Sequence, residues 1–387
     1  MHPLVALVGV PPLLAGYAYL VYPAILRAWG RRRPPVEAPP DPPEWPSISF
    51  VVPMYNEARA AASLLESLLA MDYPADRRQV LVVSDASSDG TDDVVRRYAD
   101  RGVELLRLAT RGGKSAAENA AGRVVRGEIV IHTDATVRLR PDAAKALVRW
   151  FQDPTIGVAS GRDISVANIA EAATEGEAGY VGYEMWVRQL ETRLGTIVGA
   201  SGCLYAVRRE LLLTSFPEEL SRDFASCMIA HEHGFRAVSV EDAICRVPRS
   251  TSLAAEYRRK VRTMARGLRT LWYKRALLDP FRHGRFAFFL LSHKLARWLV
   301  FLSLPVAALA LSLLALRSTA ALALLALGAG GLLVAGVGVL LERRRRAPGL
   351  LRLAAFAAAA CVAGVEAWLK ALSGHRQAAW EPTRRSV

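Results

Sequence analysis

Hydrophobic and polar positions follow two different rules along the chain. Between residues 48 and 132, short apolar runs (48–52, 80–83, 103–108 and 129–132) alternate with stretches where apolar residues recur every three or four positions (57–70, 91–99 and 115–125). Runs of four to six apolar residues predict strands, and the longer period predicts amphipathic helices. Their alternation predicts an α/β domain with a mostly parallel sheet and helices on both faces.

Elsewhere the apolar positions run on without a polar face. Residues 3–26 carry no charge and lead straight into Arg27, Arg31, Arg32 and Arg33, with no small-residue cleavage site between. That pattern predicts an uncleaved membrane anchor, in which Pro11 and Pro12 are tolerated. Residues 299–316, 319–341 and 353–369 each approach the ~20 residues of a bilayer crossing. Glu366, inside the last, must face protein or reach towards the interface.

Arginines 31–33 and 343–346 flank these spans, and the excess of positive charge on cytoplasmic loops puts the intervening domain in the cytoplasm. The expected organisation is an anchor (1–27), a Pro-rich linker (28–46), a cytoplasmic domain (47–278), an interfacial amphipathic segment (279–298), three further spans (299–372) and a tail (373–387). The expected setting is the inner, cytoplasmic membrane, crossed several times, with that domain on its cytoplasmic side.

Composition narrows the class. Hydrophobic residues make up 52% and charged ones 22%, too apolar for disorder and too charged for a bundle of spans alone. The 387 residues leave room for one large soluble domain and a few helices. A net charge of +14 suggests nucleic acid at first sight, but the basic clusters lie beside the apolar stretches, so membrane charge bias explains them and no nucleic acid is expected. Cys203, Cys227, Cys245 and Cys361 form no CxxC pair and fit a reducing compartment.

In a wound sheet, ligands bind beyond the carboxyl ends of the strands. Polar clusters stand there: Pro53-Met54-Tyr55-Asn56-Glu57 after the first strand, Ser84-Asp85-Ala86-Ser87-Ser88-Asp89-Gly90-Thr91 after the second, and Thr133-Asp134-Ala135-Thr136 after the fourth. Taken singly, Asn56 and Ser88 read as helix caps and Asp89-Gly90 as a turn. Three such clusters on one edge read as a site. No G-x-G-x-x-G follows the first strand and no Walker-type loop occurs, which argues against a dinucleotide or NTPase fold.

These motifs, with Gly112-Gly113-Lys114 and Asn119, resemble the family 2 glycosyltransferases over residues 47–278, and with the flanking spans they are similar to membrane-bound bacterial members that build exopolysaccharide and cell envelope. The resemblance implies a GT-A-like nucleotide-sugar-binding domain. It also implies that Pro53, Tyr55 and Glu57 line the nucleoside, that Asp85 bonds its base, and that Lys114 and Asn119 lie near base and diphosphate. Asp134 matches the first acid of the family's D-x-D element, which implies a bound Mg²⁺ or Mn²⁺; Thr136 replaces the second acid. Gly202 falls in the region that resembles the acceptor side, where a glycine permits close approach of a sugar.

Asp223 matches the family's catalytic base, and Arg222 stands where relatives carry a further acid. Asp242 and Glu241 are rival acids that read as a turn between strands. Arg258, Arg262, Arg266 and Arg269 share one helix face, either a wall for the leaving diphosphate or a surface for anionic lipid. No Gln-x-x-Arg-Trp occurs, so the resemblance supports processive polymerisation less.

The function implied is a metal-dependent inverting transfer of a hexose from a nucleotide-diphosphate sugar to a polyprenyl-linked or saccharide acceptor, with membrane lipid and polysaccharide-assembly proteins as partners. The alternatives are a polyprenyl-phosphate sugar synthase and a non-catalytic assembly or transport protein.

Overall fold

The computed structural model describes residues 3–166, 175–213, 216–248, 253–343 and 349–374, without the side chains of 175–181 and 342–343. The tail expected at 373–387 therefore lies outside the described residues beyond 374, as do arginines 344–346. Two compact units form. Residues 3–25 and 253–374 make a helical unit, and residues 26–248 an α/β unit.

The chain begins with α1 (Pro3–Gly16) and α2 (Tyr22–Gly30), joined by a π-helical turn. The α/β unit then winds through β1 (Ile48–Met54), α3 (Ala58–Leu69), β2 (Arg78–Ser84), α4 (Thr91–Arg96), β3 (Val103–Arg107), α5 (Lys114–Ala121) and β4 (Ile129–Thr133). After it come β5 (Arg138–Leu139), α6 (Ala143–Val148), β6 (Ile156–Val166), α7 (Glu175–Arg193), β7 (Leu204–Arg208), α8 (Arg209–Leu212), α9 (Arg222–Glu232) and β8 (Arg236–Pro248).

The eight strands form one sheet in the order β3-β2-β1-β4-β7-β6-β8-β5. Strands β3, β2, β1 and β4 are mutually parallel, with Ile48 beside both Arg78 and Ile129. β7 inserts antiparallel between β4 and β6, and β6 then runs parallel to β8. The sheet is thus mixed, with the parallel part where the periodicity predicted it.

Every residue of β1 is buried, because helices cover both faces of a parallel strand. Alternate residues serve opposite cores: Phe50, Val52 and Ile131 on one face, Val51, Val130 and Tyr205 on the other. In α3, Ala61, Leu64, Leu65 and Leu68 are buried at the spacing of a single helical stripe. Helix α5 ends at Ala121, before a glycine, rather than at 125. Residues 241 and 242 form no turn between strands: they lie within β8, where four residues bulge opposite Gly161. Arg162 and Arg149 hold the Glu241 and Asp242 carboxylates at 3.9 and 4.0 Å.

The helical unit contains α10 (Leu253–Tyr273), α11 (Pro280–Phe289), α12 (Ala296–Ala315), α13 (Thr319–Arg343) and α14 (Gly349–Leu372). Residues 280–315 are continuously helical, with π-helical geometry at 290–295 and a kink at Gly284. Among the described residues four helices are long and apolar enough to cross a membrane: Pro3–Gly30, Pro280–Ala315, Thr319–Leu341 and Gly349–Leu372.

Small residues let these helices approach closely. A side-chain carbon on Gly364 would meet the Phe301 ring at 2.3 Å, and one on Gly338 would meet the Leu351 carbonyl at the same distance. Glu366 faces protein: it accepts a hydrogen bond from the Tyr257 hydroxyl and pairs with Lys370 at 2.7 Å. A charged group in an apolar helix requires such partners.

Candidate active site

Strands β1, β2 and β4 end on one edge of the sheet, beside the place where strand order reverses between β1 and β4. Among the described residues, Asn56 (φ 53°) and Ala86 (φ 56°) are the non-glycine residues with positive φ, and each follows one of these strands. Such backbone persists only where its surroundings fix it. Here they do. Asn56 Oδ1 accepts from the Ser88 amide at 2.8 Å, the Glu57 amide donates to Thr91 Oγ1 at 2.8 Å, and the Ala58 amide donates to Asp89 Oδ2 at 3.1 Å.

Asp89 therefore caps α3 from the neighbouring loop, while its other oxygen accepts from the Thr91 amide at 3.0 Å. Burial works to raise its pKa, but the bonds from Thr91 and from the Ala58 and Thr91 amides prevail and hold it below the usual aspartate value.

Asp85 is 2% exposed, and its two oxygens accept from the amides of Gly112 and Gly113 at 2.7 and 2.8 Å. Gly113 has φ 88°, a conformation open to glycine and strained for other residues. The strand-end carboxylate thus pins the loop that starts α5. On the same rim the Arg111 guanidinium stacks over the Tyr55 ring, 3.8 Å from its centroid. Pro53 is buried within β1, and Glu57 lies half-buried just before α3.

Lys114, first in α5, is the hub. Its ammonium donates to Asp134 Oδ1 at 2.6 Å and to the Gly202 carbonyl at 2.8 Å. Burial opposes its charge, yet Asp134, Glu118 and Asp223 together push its pKa above the ordinary lysine value. Gly202 also abuts Asp223: a side-chain carbon there would lie 2.4 Å from Asp223 Oδ2. The other oxygen of Asp223 accepts from Ser221 Oγ at 2.6 Å and the Phe224 amide at 2.8 Å.

Behind this group lies a buried polar floor. Glu118 (1% exposed) and His132 (0%) approach at 3.5 Å, and the His132 ring stacks on Tyr205 at 4.6 Å. Burial alone would raise the Glu118 pKa, but His132, Lys114 and Arg222 together hold it below the usual glutamate range. Burial pushes the His132 pKa down against the pull of Glu118. Arg222 (4% exposed) turns inward, donates to Asn119 Oδ1 and lies over Phe216. His132, Tyr205, Arg222 and Ser226 help line a cavity of about 10 Å³, near the size that holds one water.

Lys114, Asp134, Gly202 and Asp223 are therefore brought together, with Asp85, Pro53, Tyr55 and Glu57 on the adjoining rim. Asn119 is spent on protein partners, donating to the Phe216 carbonyl at 2.7 Å while accepting from Arg222. Arg258, Arg262 and Arg266 belong to α10 in the helical unit.

Sequence reasoning missed Arg111, Glu118 and His132. A helical spacing of four from Lys114 marks Glu118, but nothing local marks the other two. Among the described residues no group of three His, Cys, Asp or Glu side chains could hold a metal. Asp134 offers a hard cation a single carboxylate, whose Oδ1 already accepts from Lys114.

The wound α/β sheet is GT-A-like, as its superposition on a solved mannosyltransferase with TM-score 0.74 shows. Residues 49–215 match the Glycosyl transferase family 2 model, and the chain carries a domain of that family. It is 28% identical over 254 residues to an N-acetylglucosaminyltransferase of Mesorhizobium japonicum, covering 59% of each. It is 30% identical over 172 residues to a beta-monoglucosyldiacylglycerol synthase of Trichormus variabilis, covering 43% of this chain and 36% of that one. The chain spans about half the length of the curated relatives it matches. A mannosyltransferase from Pyrobaculum calidifontis, solved in complex with GDP-Man and Mn²⁺, superposes with TM-score 0.74 at 26% identity, over 95% of this chain and 99% of that one.

Proposed function

We propose that the protein is a membrane-bound inverting glycosyltransferase of the bacterial inner membrane. It transfers a hexose from a nucleotide-diphosphate sugar to a polyprenyl-linked saccharide at the cytoplasmic face, in polysaccharide or glycolipid synthesis. The observation that carries this reading is the convergence of Lys114, Asp134, Gly202 and Asp223 at one rim of the sheet. The four apolar helices support a lipid-held acceptor, and so does a relative named for a glycosylated diacylglycerol.

In this mechanism the rim formed by Pro53, Tyr55, Glu57 and Asp85 receives the nucleoside. Lys114 uses two of its three N–H groups on Asp134 and Gly202, which leaves one donor for the diphosphate. A divalent cation held by Asp134 would neutralise charge on the leaving diphosphate. Asp223 takes the proton of the acceptor hydroxyl as its oxygen bonds to the anomeric carbon. The bond to the diphosphate breaks in the same step and its electron pair leaves with the nucleotide, so the anomeric configuration inverts. Arg258, Arg262 and Arg266, in the helical unit, supply positive charge for lipid headgroups.

Asp223→Asn tests the assignment. Turnover should fall by about two to four orders of magnitude, with nucleotide diphosphate binding intact. Near wild-type turnover by this variant sinks the base assignment, and a screen of nucleotide sugars that detects no released nucleotide from the wild type sinks the enzymatic reading.

A further inference from the structure

We propose that Ser115 and Asn119, together with Arg222, are positioning residues that clamp the segment carrying Asp223 to helix α5, so that the donor rim and the base move as one body. The proposal rests on the reading of Asp223 as the base and adds the parts that hold it in place. Asn119 is then a support for the base, in contrast to the nucleotide contact that the family resemblance implies.

Three side-chain hydrogen bonds make the clamp. Ser115 Oγ donates to the Leu220 carbonyl at 2.7 Å, Asn119 Nδ2 donates to the Phe216 carbonyl at 2.7 Å, and Arg222 donates to Asn119 Oδ1. Residues 115 and 119 are one turn apart and share a face of α5. Lys114 and Glu118 occupy the adjacent face and carry the charges of the site. At its start, α5 is tied to β2 through Asp85 and the amides of residues 112 and 113. A connected path therefore runs from the end of β2 through α5 to Ser221 and Asp223.

Arg222 fits this role better than a role at the reacting atoms. It is 4% exposed, lies over the Phe216 ring at 5.5 Å, and faces the cavity it shares with His132 and Tyr205.

The test uses the full-length protein in detergent, with Ser115→Ala, Asn119→Ala, Asn119→Asp and Arg222→Lys variants. Turnover is read as released nucleotide from a donor that the wild type uses, UDP and GDP binding by calorimetry, and folding by melting temperature. Displacement of a base by about 1 Å lowers turnover by about a hundredfold. Asn119→Ala is expected to lose ten- to a hundredfold in kcat, with the Kd of the diphosphate that the wild type binds unchanged within twofold. Asn119→Asp keeps the acceptor for Arg222 but loses the donor to the Phe216 carbonyl, and is expected to remain at least threefold below wild type in kcat.

Ser115→Ala removes one neutral hydrogen bond and keeps the test open if the Asn119 variants do not fold; it is expected to lose at least fivefold in kcat at constant Kd. The inference is overturned if Ser115→Ala and the folded Asn119 variants turn over within twofold of wild type, or if Kd weakens in parallel with kcat. An active Asp223→Asn enzyme brings down the underlying reading instead, whereas an inactive one beside fully active clamp variants brings down only the clamp.

Discussion

Strands β1 to β4 and strands β5 to β8 share one sheet but reach the site in different ways. In the first half β1, β2 and β3 are each followed by a polar loop and a helix and β4 by a polar loop, and these loops arrive at the same edge because parallel strands end on the same side. Its polar groups are locked by neighbours: Asn56 by Ser88, Asp85 by the amides of 112 and 113. In the second half the strands run in mixed directions, β8 bulges, and the segment bearing Gly202 and Asp223 is fastened from outside by α5. The rim proposed to take the donor is thus locked by partners 27 to 32 residues away, and the segment before Asp223 by partners 97 to 105 residues away. Damage to the first should appear in donor binding, and damage to the second in turnover.

The largest effect that would sharpen this contrast is at Asp134, where the halves meet through Lys114. Asp134→Ala should lower kcat/KM by about a thousandfold and abolish the response to added Mn²⁺ after chelation. Full wild-type turnover in excess chelator would remove the cation from the account.

Glu118→Gln removes the buried carboxylate that His132 approaches at 3.5 Å and should lower stability by about 2 kcal/mol, seen as a fall in melting temperature at neutral pH. The folded pKa of Glu118 is depressed, so the stability it contributes is present above its unfolded value of about 4.5. That stability is lost as pH falls through the folded value. The gap between wild type and Glu118→Gln should therefore narrow in acid, and a gap that widens there contradicts the charge assignment.

Gly202→Ala inserts a carbon 2.4 Å from Asp223 Oδ2. The carboxylate must swing away, and kcat should fall by ten- to a hundredfold at unchanged donor affinity. Smallest is Tyr55→Leu, which removes the stack beneath Arg111. A cation–π contact of about 0.5–1 kcal/mol predicts a two- to fivefold rise in donor KM with kcat retained. If kcat rather than KM falls, the division between the two halves breaks down.

Much of the first half was legible in the residues. The periodicity placed β1 to β4, and the polar clusters after them coincide with the rim. The turn at Asp89 is present, and its carboxylate accepts from the Ala58 and Thr91 amides at the starts of α3 and α4; Asn56 and Ser88 cap no helix but bond each other across the two loops. Less legible was the second half. Glu241 and Asp242 look like a turn because their polarity interrupts an apolar run, and only pairing with β6 shows that they bulge within β8. Asn119 stands close to Lys114 in sequence, yet one helical position turns it towards residues 216–222.

The sequence by itself determined what short-range physics decides: the period of the apolar positions, the strand-end loops, the four long apolar helices and the family to which the motifs belong. Tertiary structure alone decided which polar groups are free to meet a substrate and which are consumed in holding the fold. That choice depends on partners about a hundred residues away, as Arg222 for Asn119 and Leu220 for Ser115. Burial makes it binding, because a polar group removed from water must find a partner wherever the chain happens to bring one.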